Sequence, residues 1–147
     1  MKIAIGSDMQ SDIVEGLIDY LHKKNIAVDR FGALKPHEQE TMWPAVGYNV
    51  AKQVADQCYD FGILFCWTGT GVSIAANKVN GVRAALCIDA ETARGAKKWN
   101  DANILVMSLR LVSAAVGEEI IDAWLSAHFT GDEEDTACLA YLHKIEG

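Results

Sequence analysis

The chain has 147 residues, half of them hydrophobic, with a net charge of −7 and a pI near 5.0. This length suits one domain, to which we assign residues 1–147. An acidic chain without a basic run is not expected to bind nucleic acid, and no apolar stretch approaches the roughly 20 residues of a membrane span.

The first half of the chain alternates apolar runs with segments of helical period. The apolar runs predict strands over Lys2–Gly6, Ala27–Phe31 and Phe61–Phe65. Apolar residues three and four positions apart predict a helix over Ser11–Lys24 and a second from Pro44 to about Gln57. A polar loop over Lys35–Met42 precedes the second helix.

The second half continues this alternation. It predicts strands over Val82–Ile88 and Asn103–Met107, and helices over Val72–Val79, Ala90–Trp99, Ala114–Ala127 and Glu133–Ile145. Unbroken apolar strands separated by helices indicate an α/β fold in three layers, with a five-stranded parallel sheet covered by helices on both faces. Ligands of such sheets bind at the carboxyl ends of the strands, which directs attention to the loops there.

The loop after the third strand carries the clearest chemical signal. The strand is followed by Cys66, and a turn with Gly69 and Gly71 leads into a helix. Backbone N–H groups without acceptors at that helix start would face a polarizable thiol. A base beside such donors is what proton abstraction next to a carbonyl requires. The alternative for Cys66 is a buried thiol that packs as a small hydrophobe.

Two other interpretations of these loops remain open. Residues 69–74 match half of a GxGxxG dinucleotide motif, with Asp89 about twenty residues further on. The third glycine is replaced by Ile74 and the loop follows the third strand, so nucleotide binding is disfavoured. Asp8, after the first strand, could cap the following helix or bind a substrate hydroxyl.

The four cysteines and four histidines are dispersed along the chain. No CxxC pair occurs, so neither a disulfide framework nor a metal site is expected, and no cofactor is implied. We expect a reducing cytoplasm as the setting, in line with an N-terminus that lacks a secretory cleavage pattern.

Six segments together resemble the family of ribose-5-phosphate isomerase B and galactose-6-phosphate isomerase. They are Met1–Asp8, Cys66–Gly71, Ser73–Lys78, Gly81–Cys87, Asn100–Asn103 and Ile121–Leu125. The resemblance covers nearly the whole chain. It implies a Rossmann-like sheet, metal-free aldose–ketose interconversion of a small carbohydrate through an enediolate, and a homodimer or tetramer whose sites are shared between subunits.

The resemblance also implies roles for individual residues. Cys66 matches the base that moves a proton between adjacent carbons, and Thr68 matches a residue that assists proton transfer at the hydroxyls. The amides of the loop from Trp67 to Gly71 match the enediolate-binding hole, to which Gly69 and Thr70 also belong. The remaining matches are substrate contacts, with hydroxyl groups for Asp8 and Asn100 and with the phosphate for Arg110.

Four positions and one C-terminal segment depart from the family pattern. The histidine usual after the first strand is Met9, the tyrosine of Asp-Tyr-Pro is Trp43, and the glycine after the cysteine is Trp67. The histidine that assists ring opening is Trp99. The C-terminal Gly-Arg-His-x-x-Arg is replaced by Asp132–Ala137, which removes the family's phosphate-binding cations.

These departures bear on the substrate. Because phosphate favours charge-assisted donors, the substrate is either unphosphorylated or has its phosphate bound by another cation: Arg110, Lys97, Lys98 or Lys144. Loss of the ring-opening histidine favours an open-chain substrate such as a tetrose, a tetrulose or its phosphate. The tryptophans Trp43, Trp67 and Trp99 would then either narrow the pocket, beside Met9, or form a hydrophobic dimer seam.

A function from another class is the alternative. The chain could be a non-catalytic partner subunit, or a module that binds a polyol or sugar acid. The retained Cys66, Thr68 and Gly71 disfavour this, because a binding module has no need of a thiol at that position.

Overall fold

The computed structural model describes residues 1–147 and confirms the Rossmann-like α/β sandwich. The strands are β1 (Lys2–Ser7), β2 (Ala27–Gly32), β3 (Phe61–Cys66), β4 (Ala84–Leu86) and β5 (Ile104–Ser108). The helices are α1 (Asp12–Lys23), α2 (Trp43–Ala55), α3 (Thr70–Ala76), α4 (Ala90–Asn100), α5 (Ala114–Ser126) and α6 (Glu133–Glu146). All strand pairs are parallel, and the sheet order is β2-β1-β3-β5-β4.

Two apolar cores lie on opposite faces of the sheet, because successive strand side chains point to opposite sides. In β3, Ile63 and Phe65 pack with α1, α4 and α5 in the larger core. Leu64 and Cys66 pack with α2 and α3 in the smaller core. The alternation therefore places Cys66 on the α2–α3 face.

The fourth strand is shorter than the apolar run Val82–Ile88 predicts. The Asn103 side chain accepts a hydrogen bond from the Arg83 N–H (2.8 Å) and donates one to the Gly81 carbonyl oxygen (2.8 Å). A side-chain amide thus satisfies backbone groups that a strand partner would otherwise bind. The predicted start of the strand at Val82 was wrong, because the Asn103 side chain binds the backbone of Gly81 and Arg83 before β4 begins at Ala84.

Helix α3 begins two residues earlier than predicted and ends three residues earlier. Gly69 precedes it in the left-handed conformation, with a φ of 77°. The first helical bond runs from the Ser73 N–H to the Gly69 carbonyl oxygen. The early start brings Thr70 and Gly71 into the first helical turn, directly after the loop that follows Cys66.

The last helix lies at the surface. None of the residues of α6 is buried, and Tyr141 and Ile145 are each 67% exposed. Asp132 accepts a hydrogen bond from the Asp135 N–H, so the acidic residue Asp132 caps the start of this helix. None of the six helices combines the length and apolar character that a membrane crossing requires.

Candidate active site

Cys66 is the last residue of β3 and lies beside Ser108, the last residue of β5. Its side chain is buried, with 5% exposure, yet it lines a cavity of about 350 Å³. The cavity lies at the carboxyl end of the sheet. Its lining residues are Asp8, Trp43, Cys66, Trp67, Thr68, Thr70, Gly71 and Ile74. Seven predicted site residues are therefore brought together.

The loop after Cys66 is fixed through its carbonyl groups. The Cys66 carbonyl oxygen accepts a hydrogen bond from the Leu109 N–H (3.0 Å), and that of Trp67 accepts from the Arg110 N–H (2.8 Å) and the Ser108 hydroxyl (3.1 Å). By contrast, the N–H groups of residues 67, 68 and 69 donate no hydrogen bond within the chain. The loop thus holds unused donors next to the thiol.

The two loop glycines are required for different reasons. A Cβ at Gly69 would lie 2.6 Å from Leu86 Cδ1, and the φ of 77° would strain any other residue. A Cβ at Gly71 would lie 2.8 Å from Trp43 Cδ2. Gly69 therefore permits the turn, whereas Gly71 permits a close approach of the Trp43 ring. Gly69 itself is buried and is not among the residues that line the cavity.

Asp8 lines the cavity and has one carboxylate oxygen without a hydrogen-bond partner. Its Oδ1 is buried and makes no hydrogen bond, and burial raises the pKa of Asp8 above its ordinary value of 3.8. Ser7 shapes the turn after β1, because its hydroxyl donates to the Met9 carbonyl oxygen (2.6 Å) and accepts from the Met9 N–H (3.2 Å). The Met9 side chain is 39% exposed and does not line the cavity.

A pair of hydroxyl groups borders the cavity. The oxygens Thr68 Oγ1 and Thr70 Oγ1 are 2.8 Å apart. One hydroxyl donates to the other, which leaves one proton of the pair free to bind another acceptor. The two threonines can therefore exchange a proton with a bound hydroxyl group.

Arg110 lies near the loop but outside the cavity lining. Its N–H binds the Trp67 carbonyl oxygen, which places its backbone beside the loop after Cys66. Its side chain is exposed and forms no ion pair. No cationic residue lines the Cys66 cavity.

Trp99 and Asn100 lie away from Cys66 within one chain. They end α4, which runs back from the carboxyl edge of the sheet to its amino edge, where β5 starts. The five residues of β5 span about 16 Å, at roughly 3.3 Å per residue. Both residues line a separate cavity of about 710 Å³.

The three lysines considered as phosphate ligands are also absent from the Cys66 cavity. The Lys97 amine lies 5.1 Å from the Trp124 ring centroid, and that of Lys98 lies 5.6 Å from the Trp99 ring centroid. Lys144 is exposed near the end of α6. No group of three or more His, Cys, Asp or Glu residues is arranged to hold a metal ion.

Sequence reasoning missed two residues of the site. Ile74 lines the cavity four positions after Thr70, on the same face of α3, a spacing that could have revealed it. Ser108 is 3% exposed and binds the Trp67 carbonyl oxygen. Its signal was a polar residue directly after the apolar run of β5.

Comparison with known proteins adds independent findings. A family model described as Ribose/Galactose Isomerase matches residues 3–139. D-erythrulose-4-phosphate isomerase of Pectobacterium atrosepticum is 39% identical over 132 residues, covering 89% of this chain and 86% of the relative. Ribose-5-P isomerase B of Listeria innocua is also 39% identical, covering 89% and 88%. The structure of Clostridium thermocellum ribose-5-phosphate isomerase B superposes with a TM-score of 0.90 at 38% identity, covering 99% and 97%.

Proposed function

The chain belongs to the ribose/galactose isomerase family and is an aldose–ketose isomerase, and we propose that Cys66 is the base that moves the proton. The observation that carries this proposal is the position of the thiol. Cys66 lines a cavity whose loop holds three backbone N–H groups without acceptors. A developing oxyanion requires such donors within hydrogen-bond distance.

The proposed reaction uses a proton shuttle between adjacent carbons. Cys66, as thiolate, takes the proton from the carbon beside the carbonyl, and the electron pair moves to form an enediolate. The loop N–H groups bind its negative oxygen. Thr68 moves a proton between the two oxygens, and Cys66 returns its proton to the neighbouring carbon. Asp8 holds a substrate hydroxyl through its unpartnered oxygen.

A second copy of the chain completes the site in this proposal. Trp99 and Asn100 lie at the opposite edge of the sheet from Cys66, so they reach a substrate only in another subunit. The unburied helix α6 and the exposed rings of Trp43 and Trp67 offer apolar surface for such contacts. We therefore propose a homodimer or a tetramer. The four free cysteines suit a reducing cytoplasm.

We propose a short, open-chain sugar phosphate as the substrate, of the tetrose or tetrulose type. A four-carbon chain phosphorylated on its last oxygen cannot close a five-membered ring through that oxygen, so it needs no ring-opening histidine, and Trp99 stands at that position. A relative 39% identical to this chain is a D-erythrulose-4-phosphate isomerase. No cation lines the cavity itself, so the phosphate ligand must come from outside the lining. Arg110 is the proposed ligand, because its backbone N–H binds the loop after Cys66.

Hydrogen exchange in deuterated water tests the proposed base directly. The protein is incubated with tetrose and pentose phosphates, and incorporation of deuterium beside the carbonyl is measured. Cys66→Ala is expected to slow exchange by about 10²–10⁴-fold. The matched control is Cys87→Ala, because Cys87 is a buried thiol after β4 that does not line the cavity and whose pKa burial raises to about 12.

Two outcomes would count against this proposal. Exchange that survives Cys66→Ala at the wild-type rate rejects Cys66 as the base while leaving the isomerase class intact. Binding of a sugar phosphate by the wild type without any exchange supports instead a non-catalytic partner subunit or a sugar-binding module.

A further inference from the structure

A further cavity lies at the amino edge of the sheet, on the side away from Cys66. Its volume is about 330 Å³, and it lies between the starts of β1 and β3, the ends of α4 and α5, and the segment that follows α5. The reaction proposed above uses none of its residues. Its polar lining consists of Lys97, Asp101, Trp124, His128 and Asp60.

Two residues that line this cavity carry hydrogen-bond donors without acceptors. Trp124 is 2% exposed, and its indole Nε1–H is buried without a hydrogen bond. Lys97 is partly buried, makes neither an ion pair nor a side-chain hydrogen bond, and holds its amine 5.1 Å from the centroid of the Trp124 ring. An unpaired buried donor is costly, so both groups favour a bound acceptor.

The acidic residues of the cavity are already engaged. An Asp60 carboxylate oxygen accepts a hydrogen bond from the Lys2 N–H (2.7 Å), and Asp101 pairs with Arg83 (3.1 Å). Their charges would repel a phosphate dianion more strongly than a carboxylate. Their remaining lone pairs can accept hydrogen bonds from hydroxyl groups.

We propose that this cavity is a binding site for a small hydroxycarboxylate. One carboxylate oxygen accepts from Trp124 Nε1–H and the other from the Lys97 ammonium, while the ligand hydroxyls donate to Asp60 and Asp101. The ligand supplies the acceptors that the chain lacks. Burial lowers the pKa of the free Lys97 amine, and a bound carboxylate stabilises the charged form.

Titration with D-glycerate, followed by the indole N–H resonances, tests the proposal. The chain has four tryptophans, so at most four such resonances arise. The Trp124 resonance is expected to move downfield and saturate. Lys97→Met should weaken binding by at least about tenfold, as loss of a charge-assisted hydrogen bond does. Lys98→Met is the matched control, because Lys98 lies over Trp99 instead.

Assignment does not depend on a Trp124 variant that could fail to fold. Phenylalanine substitutions of the exposed Trp43, Trp67 and Trp99 identify their resonances and leave Trp124 by difference. Cys66→Ala should bind glycerate with the affinity of the wild type. A failure of the glycerate proposal would therefore leave the proposed catalytic role of Cys66 unaffected. The proposal is overturned if no resonance moves, if only those of Trp43 or Trp67 move, if Lys97→Met binds as tightly as wild type, or if inorganic phosphate binds more tightly than glycerate.

Discussion

The indole ring of Trp43 lies directly against Gly71. A Cβ on Gly71 would be 2.8 Å from Trp43 Cδ2 and 3.2 Å from its Cγ. Trp43 is the first residue of α2 and Gly71 the second of α3, and both line the Cys66 cavity. The contact therefore sets how closely the starts of two helices approach at the site.

Gly71→Ala is expected to destabilise the fold and to lower kcat/KM. The φ of Gly71 is not in the positive region, so the effect is steric overpacking, which costs about 1–3 kcal/mol. Urea unfolding and steady-state kinetics measure both effects. Gly16→Ala is the control, because a Cβ there meets nothing within 4 Å in α1 and should stabilise by about 0.5–1 kcal/mol.

The Trp43→Ala background identifies the cause. Once the ring is removed, Gly71→Ala should cost close to nothing, because its new methyl group no longer meets the indole. An undiminished cost in that background would show that the strain arises elsewhere in the loop.

The position of Cys66 could be predicted because it depends on local patterns. Apolar runs define the strands, and glycines mark the turn after β3. The Trp43–Gly71 contact could not be predicted, since it joins residues 28 positions apart with no shared period. The place of β5 between β3 and β4 also depends on pairing between distant segments.

The separation of Asn100 from Cys66 follows from topology. In a parallel sheet each connecting helix returns the chain to the amino edge, so the end of α4 lies opposite the end of β3. The resemblance implies a site shared between subunits, and the fold shows that one chain does not bring these two residues together. Local sequence patterns predict the chemistry around Cys66, but they do not show which residues of one chain lie near each other.

Asp8→Asn is expected to raise the free energy of unfolding near neutral pH. Because burial raises the pKa of Asp8, folding favours its neutral form. The stability of the wild type then falls as pH rises from the ordinary pKa of about 3.8 through the raised pKa of the folded protein. The stability of the variant does not fall in this way. Urea unfolding as a function of pH should show the two proteins converging in acid. Activity should fall, since a substrate contact is changed.

Asp89→Asn is the control of opposite sign. Asp89 caps α4 by accepting a hydrogen bond from the Thr92 N–H (2.7 Å), which lowers its pKa. The stability that Asp89 gives the wild type is present above the pKa that this group has in the unfolded chain. It is lost as pH falls through the lowered pKa of the folded protein. The variant should therefore be less stable than wild type near neutral pH. Equal pH profiles for both variants would contradict the assignment at Asp8.

Trp67→Gly is expected to shift selectivity toward longer substrates. The Trp67 side chain follows Cys66 and lines the cavity, and 54% of it is exposed, so its removal widens the cavity without opening the core. The ratio of kcat/KM for a pentose 5-phosphate to that for a tetrose 4-phosphate should rise by about tenfold, comparable to one methylene of pocket space. Trp67→Phe, which keeps an aromatic wall, should change it little. An unchanged ratio in Trp67→Gly would remove this residue as a determinant of chain length.

Mixing two inactive variants is expected to restore activity if subunits share their sites. Cys66→Ala lacks the base and Asn100→Ala lacks the proposed contact from the partner copy. In a mixed dimer one site joins intact Cys66 of one chain with intact Asn100 of the other, while the second site carries both changes. Random exchange makes half of the dimers mixed, so about one quarter of wild-type activity should return.

The two variants are mixed in mild urea, dialysed and assayed, and each variant is also treated alone as a control. Dimers of a single variant should stay inactive, because both of their sites carry the same change. A mixture no more active than its components would mean that subunits do not share the site. Within one chain, Asn100 lies at the amino edge of the sheet, too far from Cys66 to act on the same substrate. Asn100 would then lose its proposed role in substrate binding, while the case for Cys66 would stand unchanged.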